Sequence, residues 1–326
     1  MQLPSLPLED GCFLIDNSTL EGLTTCARYF EYSKLHKRVA AGSKASLNFG
    51  TALHLALEYR YRTYRDQPLD DAGVQEQSNI LAKYFADNPV DEFEHRTLDY
   101  ASNLLKRYNQ KYRIEPFNLL LDSKGETLCE TSMSIPLCDL TYKGTKIPVI
   151  FTGKIDMPVS INGKIFILDH KTDSMFWGPQ KFLDEQRSSN QYRGYAWGFE
   201  KATGRTVDGF MINGIPTKQP PAKPKMGLDA WYQEWFVREQ TYLSLYPQWR
   251  EEWYAATCSQ VEYIFWMQSR DSFPMTGRFV KACEKYGGCQ YKDVCNAPAD
   301  KRDEYLQSNL YQENTWSPLH KETTKQ

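Results

Sequence analysis

Three residues carry the chemistry most visible in this chain: Asp156 in Gly153-Lys154-Ile155-Asp156, and Asp169 with Lys171 in Ile165-Phe166-Ile167-Leu168-Asp169-His170-Lys171-Thr172. Two carboxylates close together can hold a hard divalent cation through oxygen and still leave positions for water and a phosphate. The ion lowers the pKa of its water, and a lysine beside that water stabilises the hydroxide or the charge growing around phosphorus. Such a set has the composition of a metal-dependent phosphodiesterase. Taken alone, a D-x-K tripeptide more often marks a surface ion pair, so the surrounding elements have to supply the argument.

Asp169 and Lys171 lie two apart in an apolar, β-branched run, and side chains in a strand alternate faces. Both therefore project from one side, with Leu168 and His170 on the other. Asn162-Gly163 is a tight-turn signal between this run and the preceding one, Val149 to Val159. The pattern predicts a hairpin that brings Asp156 towards Asp169. More coarsely, residues 18–112 read as helices, 117–172 as strands, 185–202 as a helix, 207–216 as a strand and 228–256 as one long helix. The residues from Gln312 on are polar and aperiodic and read as a flexible tail.

The order G-x-x-D, turn, apolar strand, D-x-K-T resembles the core of the PD-(D/E)XK nuclease superfamily, most closely its RecB-like branch. The resemblance implies that Asp156, Asp169 and the backbone carbonyl of His170 bind Mg2+ or Mn2+, with Lys171 catalytic. Upstream, Gly50-Thr51-Ala52-Leu53-His54-Leu55-Ala56-Leu57-Glu58 is similar to the family's helical G-x-x-x-H-x-x-x-E motif, whose histidine is a further metal ligand. Helical spacing puts His54 and Glu58 one turn apart on one face. Downstream, Gln191-Tyr192-Arg193-Gly194-Tyr195 resembles the Q-x-x-x-Y motif, whose helix lies across the active site in the family. Gln191 and Tyr195 are thereby expected to contact the DNA backbone or orient the lysine. The fold implied is α/β, a central mixed sheet flanked by helices, with helical N- and C-terminal segments joined by a four-cysteine metal site. In domain terms, 1–312 is expected as one elaborated nuclease domain, with a helical part (1–112), a catalytic core (113–218) and a second helical part (219–312), followed by a tail at 313–326.

Of the 8 cysteines, Cys283, Cys289 and Cys295 recur at even spacing. Near the other end, Leu23-Thr24-Thr25-Cys26-Ala27-Arg28-Tyr29-Phe30-Glu31-Tyr32 looks like the opening of iron–sulfur members of the branch, where one early and three late cysteines hold a 4Fe–4S cluster. Iron–sulfur members commonly have a short C-x2-C step that this chain lacks. Thiolates also select zinc, so a Zn(Cys)4 site, or buried cysteines without metal, stay open as alternatives. Cys12, Cys129, Cys138 and Cys258 show no pattern and are assigned no role.

The composition is that of a globular protein: 326 residues, 41% hydrophobic and 14% aromatic. A net charge of −2 excludes nucleic-acid binding by overall charge, so a DNA footprint must be local. Candidate contacts are Glu58, then Arg60, Arg62 and Arg65 in the Tyr- and Arg-rich stretch 59–65 that follows it, and Lys218 and Lys223 in a Pro- and Lys-rich connector. Met1-Gln2-Leu3-Pro4 lacks the basic and apolar regions of a signal peptide and no long apolar run follows, so a reducing cytoplasm, bacterial or phage-infected, is expected. No G-x-x-x-x-G-K-[ST] loop or G-x-S-x-G elbow occurs, so any unwinding would need a separate helicase. The function expected is a metal-dependent DNA exonuclease of recombination, repair or phage DNA processing. The alternatives are a CRISPR-adaptation-type nuclease and an inactive DNA-binding subunit of a helicase–nuclease assembly.

Overall fold

A computed structural model describes residues 3–42, 45–65, 67–90 and 94–314. The chain gathers into two compact units, one from the segments up to Gly42, Ser132–Gly153 and Gln248 onward, the other from Ser43–Thr131 and Lys154–Pro247.

The first unit opens with short strands β1 (Leu8–Glu9) and β2 (Cys12–Ile15), then helices α1 (Asn17–Thr25) and α2 (Ala27–Phe30), a π-helical turn over Glu31–Leu35, and β3 (Arg38–Ala40). Asp16 starts α1 because its carboxylate accepts from Thr19 N at 2.8 Å, satisfying an otherwise orphaned donor. The second unit begins with α3 (Ala45–Tyr64), α4 (Asp71–Asp87), α5 (Leu98–Lys111) and β4 (Asn118–Leu119). Strands β5 (Thr131–Tyr142) and β6 (Thr145–Ile155) mostly return to the first unit, where the sheet order is β1-β2-β6-β5. Then β7 (Met157–Ile161), β8 (Lys164–Asp173), α6 (Pro179–Arg187), α7 (Asn190–Thr203), β9 (Gly209–Pro216), α8 (Leu228–Trp235) and β10 (Val237–Tyr242) complete the second unit. Its five-stranded sheet runs β10-β9-β8-β7-β4, mixed because β8 and β9 are parallel and the other pairs antiparallel. Helices α9 (Trp249–Ser269), α10 (Lys292–Asn296) and α11 (Arg302–Gln307) follow in the first unit, and β11 (Tyr311–Glu313) pairs with β3.

In the second unit Leu53, Ala56 and Leu57 of α3, Leu81 of α4 and Leu104 of α5 share one buried cluster with Met157, Val159, Phe166 and Leu168 of the sheet. Each large aliphatic or aromatic side chain buried there stabilises by about 1.5–3 kcal/mol, which fixes α3 over β7 and β8.

Four sequence expectations change. The run Val149 to Val159 is not one strand: it breaks at Asp156, β6 joining the four-stranded sheet and β7 alone forming the hairpin with β8. The helix at 185–202 is two, since Ser189 caps a fresh start by accepting from Gln191 N at 3.3 Å. The long helix at 228–256 is helix, strand, helix. Val237–Tyr242 instead pairs antiparallel with β9, Val237 opposite Gly214 and Tyr242 opposite Gly209, and these β-branched and aromatic residues suit an edge strand. Lastly, Gln312 and Glu313 of the expected tail lie in β11, and the tail residues from 315 on fall outside those described. No helix among the described residues is long and apolar enough to cross a membrane.

Candidate active site

The Asn162-Gly163 turn has φ of 50° and 77°, the left-handed pair that a two-residue hairpin demands. The turn sets the register of β7 against β8, with Met157 opposite Leu168, and Asp156 sits at the bend just before this pairing begins. A hydrogen bond from His170 N to Asp156 Oδ2 (2.8 Å) pins the first carboxylate to β8.

Helix α3 supplies the third component. A Cβ on Gly50 would stand 2.8 Å from Thr172 Oγ1, closer than real side chains approach, so the helix can cross β8 at this distance only with glycine there. One turn on, His54 Nδ1 lies 3.6 Å from Asp156 Oδ2 and 3.9 Å from Glu130 Oε1. His54, Glu130 and Asp156 each offer a ligand atom within 4.8 Å of the others, the only such set among the described residues.

Glu130 is the residue the sequence reading missed. It sits immediately before β5 with φ of 51°, its backbone N donates to Asp156 O at 2.7 Å, and Lys154 Nζ holds its Oε2 at 2.6 Å. It lies far from the other ligands in sequence and in none of the motifs. The one local cue, a carboxylate heading an alternating strand, is common on any surface.

Burial disfavours the imidazolium of His54, but the charges of Asp156 and Glu130 outweigh it and lift the group to about 9. Burial, reinforced by Asp169 and Glu130 and opposed by His54, raises Asp156. Glu130 is lowered because His54 and Lys154 overcome its burial. His54 and Asp156 thus compete for a proton beside Glu130, with Lys154 against Glu130 and Lys171 against Asp169. Asp169 is 2% exposed, and its Oδ2 touches Lys171 Nζ at 2.8 Å as an ion pair while making no aligned hydrogen bond. Asp169 acts electrostatically on His54 and Asp156 but is not part of the 4.8 Å group of His54, Glu130 and Asp156, and it is that group of one imidazole and two carboxylates that suits Mg2+ or Mn2+.

His170 projects from the opposite face of β8, as alternation requires. Its ring stacks on Tyr61 (centroids 5.6 Å apart), and the Asn213 amide donates to its Nδ1 at 2.6 Å. Burial holds His170 well below its ordinary value, so it is neutral, and its backbone is left to meet the site. Behind it Asn213 and Tyr108 (2.9 Å), Tyr61 and Glu115 (2.6 Å), and Arg238 with Glu115 form a buried polar network. Arg60 belongs to this network and corrects an expectation. It is 1% exposed, bonded to Asn109 and Tyr112 O and 3.6 Å from Glu115, so it cannot reach a DNA phosphate.

Of the other candidates, Arg62 pairs with Glu58 at 2.7 Å and donates to Cys129 O, and Arg65 donates to Gly125 O from an exposed position. Lys223 is exposed, and Lys218 lies over the Trp235 and Phe176 rings. Helix α7 packs on β8. Gln191 Nε2 donates to Tyr195 OH at 2.8 Å, while Tyr192, buried on Phe210, presents its ring 5.9 Å from Lys171 Nζ.

The four cysteines fall in the first unit. Cys26 is the junction of α1 and α2, and a Cβ on Gly277 would come within 3.3 Å of its sulfur. Burial raises the Cys289 thiol, aided by the charges of Cys283 and Cys26; burial likewise pushes Cys295 up to about 11, opposed by Arg28 and aided by Cys26 and Cys289. The sulfurs sense one another electrostatically, yet no three of them share a 4.8 Å neighbourhood. Sulfurs bound to one zinc would lie roughly 3.8 Å apart, from Zn–S bonds of about 2.3 Å in a tetrahedron. The cysteines are therefore not gathered into a zinc-ready set.

Comparison with curated proteins returns no match. A family model, that of the PD-(D/E)XK nuclease superfamily, matches residues 17–296, a span that takes in His54, Glu130, Asp156, Asp169 and Lys171. With the mixed sheet and this carboxylate, histidine and lysine constellation in place, the chain belongs to the PD-(D/E)XK nuclease superfamily.

Proposed function

We propose that the protein is a DNA exonuclease that hydrolyses phosphodiester bonds with Mg2+ or Mn2+, in recombination, repair or phage DNA processing. The observation that carries this reading is the convergence of His54, Glu130 and Asp156 on one ligand-sized space, with Asp169 and Lys171 on the adjoining strand. A bound divalent ion supplies a water of lowered pKa and positive charge beside the phosphate. His54, Glu130 and Asp156 would hold it, and Asp169 and the carbonyl of His170 are assigned with them. Asp169 orients Lys171, whose ammonium meets the attacking hydroxide and the charge that grows on the phosphoryl oxygens. Gln191 and Tyr195, bonded to each other on α7, are assigned to the scissile backbone.

In the first unit, Cys26, Cys283, Cys289 and Cys295 are assigned to a structural 4Fe–4S cluster by the resemblance of their sequence pattern to iron–sulfur members of the branch, although no three of the sulfurs lie within 4.8 Å of one another. Anaerobic purification should then give brown protein with about four irons per chain. Colourless protein with stoichiometric zinc would reject the assignment.

The nuclease assay uses DNA labelled at the 5′ or the 3′ end, single-stranded and duplex, with Mg2+ or Mn2+. Mononucleotide release from one end that stops in Asp169→Asn and Lys171→Ala is the expected result. Internal cuts would replace the exonuclease with an endonuclease, and unaltered cleavage by both variants would remove the assigned mechanism.

A further inference from the structure

Just beyond the catalytic strand lies a rigid turn that displays two aromatic rings to solvent. Its base is fixed: Met175 is 1% exposed, Met175 N donates to Asp173 Oδ1 at 2.5 Å, and Gly178 N donates to Met175 O at 2.7 Å. The positive φ values of Met175 (47°) and Gly178 (95°) turn the chain sharply between them. Phe176 and Trp177 are consequently pushed outward, 67% and 79% exposed, with ring centroids 4.8 Å apart and planes at 89°. An isolated exposed aromatic needs no explanation, but two adjacent ones held on an ordered turn do.

The neighbours suggest what covers them. Thr217 N donates to Asp173 O at 2.8 Å, which ties the Pro- and Lys-rich connector to the end of β8. Tyr100 OH donates to Lys218 O at 2.8 Å and anchors the next residue. From there the Lys218 ammonium stands 5.6 Å from the Phe176 ring and 5.0 Å from that of Trp235, and Trp235 stacks on Trp231 at 4.6 Å. A cation set between aromatic rings, with exposed Lys223 and Lys225 further along the connector, alternates stacking surface with positive charge. That is the chemistry of an unpaired nucleic-acid strand, whose bases stack on rings while its phosphates meet lysines. Paired bases in a duplex present no free face to such a platform.

We propose that Phe176 and Trp177, with Lys218 and Trp235, form a stacking platform for unpaired bases of the DNA strand that enters the active site. The platform rests on the nuclease reading above and narrows its substrate to single-stranded DNA or frayed ends. Phe176 follows Lys171 by five residues, so the chain limits their separation to about 18 Å, within reach of a few nucleotides.

The test measures binding by fluorescence anisotropy, with Ca2+ in place of Mg2+, to three labelled probes: oligothymidine, an abasic oligomer of the same length and a blunt hairpin duplex. Wild type should hold oligothymidine roughly tenfold or more tighter than the abasic strand, the scale of losing one or two base stacks. Phe176→Ala/Trp177→Ala should bring oligothymidine down to the abasic level. Trp177→Phe, which keeps an aromatic face, should retain most of the preference, and matched unfolding temperatures exclude misfolding. Equal binding of oligothymidine and abasic strand by wild type overturns the platform, as does a double variant that keeps the full preference. Wild-type cleavage is scored separately. Cleavage without base preference removes the platform and leaves the nuclease; base preference without cleavage removes the nuclease and leaves a binding surface.

Discussion

His54, Glu130 and Asp156 come from a twenty-residue helix, a strand entrance and a strand junction, while Cys26 caps two short helices, Cys283 lies in a six-residue 3-10 turn and Cys295 in a five-residue helix. His54 lies within α3, and Glu130 and Asp156 sit at the ends of the long strands β5 and β6. The sulfurs are carried by short segments, and two of them, Cys289 and Cys295, pack against a small cluster centred on Tyr32, Tyr291 and Tyr311. His54, Glu130 and Asp156 are gathered within 4.8 Å of one another, whereas no three of the sulfurs are.

Catalysis offers the hardest strike at this comparison. Asp169→Asn and Lys171→Ala should each lower the cleavage rate by about 10²–10³-fold or more, the scale of losing a preorganised electrostatic group, with unchanged circular dichroism. Loss of fold in either variant would mean that the site is not independently assembled. In the other region, Cys289→Ser should lower the unfolding temperature and the metal content together while leaving the Mn2+ affinity of the catalytic site intact, as calorimetry would read. If all three stayed constant, the cysteines would be ordinary buried thiols.

Glu130→Gln should weaken Mn2+ binding by roughly 10- to 100-fold, as the loss of a ligand or of its immediate support does. A smaller effect follows from protons. His54 is lifted to about 9 and Asp156 to about 7, so protons on both compete with the ion below those values, and the apparent Mn2+ affinity should climb as pH rises towards 9. Titration calorimetry in buffers of different ionisation enthalpy should register proton release at pH 7. An affinity independent of pH would place His54 outside the ligand set. The mildest change is Gly50→Ala: a helix normally gains up to about 1 kcal/mol from this substitution, but overpacking against Thr172 should turn it into a loss of about 1–3 kcal/mol. Adding Thr172→Ala should recover much of the loss in a double-mutant cycle.

Much of the catalytic strand was legible in the sequence because its cues are local. Alternation put Asp169 and Lys171 on one face, and Asn162-Gly163 specified the turn. The break at Asp156 was not, since it depends on β6 finding β2 and β5 in another sheet, a long-range pairing that leaves no mark on the run from Val149 to Val159. Glu130 was hidden for the same reason. Arg60 misled because its register within an exposed-looking Tyr and Arg stretch points it inward, where Glu115 and the tyrosines satisfy a charge that composition alone assigns to the surface. Val237–Tyr242 was read as helix because tertiary pairing with β9 overrode a helical neighbourhood.

The two-residue turn at Asn162-Gly163 also sets how this gene tolerates insertions. Because strand side chains alternate with a period of two, one extra residue there that slid β8 by a single step would send Asp169 and Lys171 to the buried face and His170 to the open one. A change of length at a surface turn that need touch neither metal nor DNA would then be as damaging as deleting the lysine. Length variants are therefore expected to be excluded from this turn.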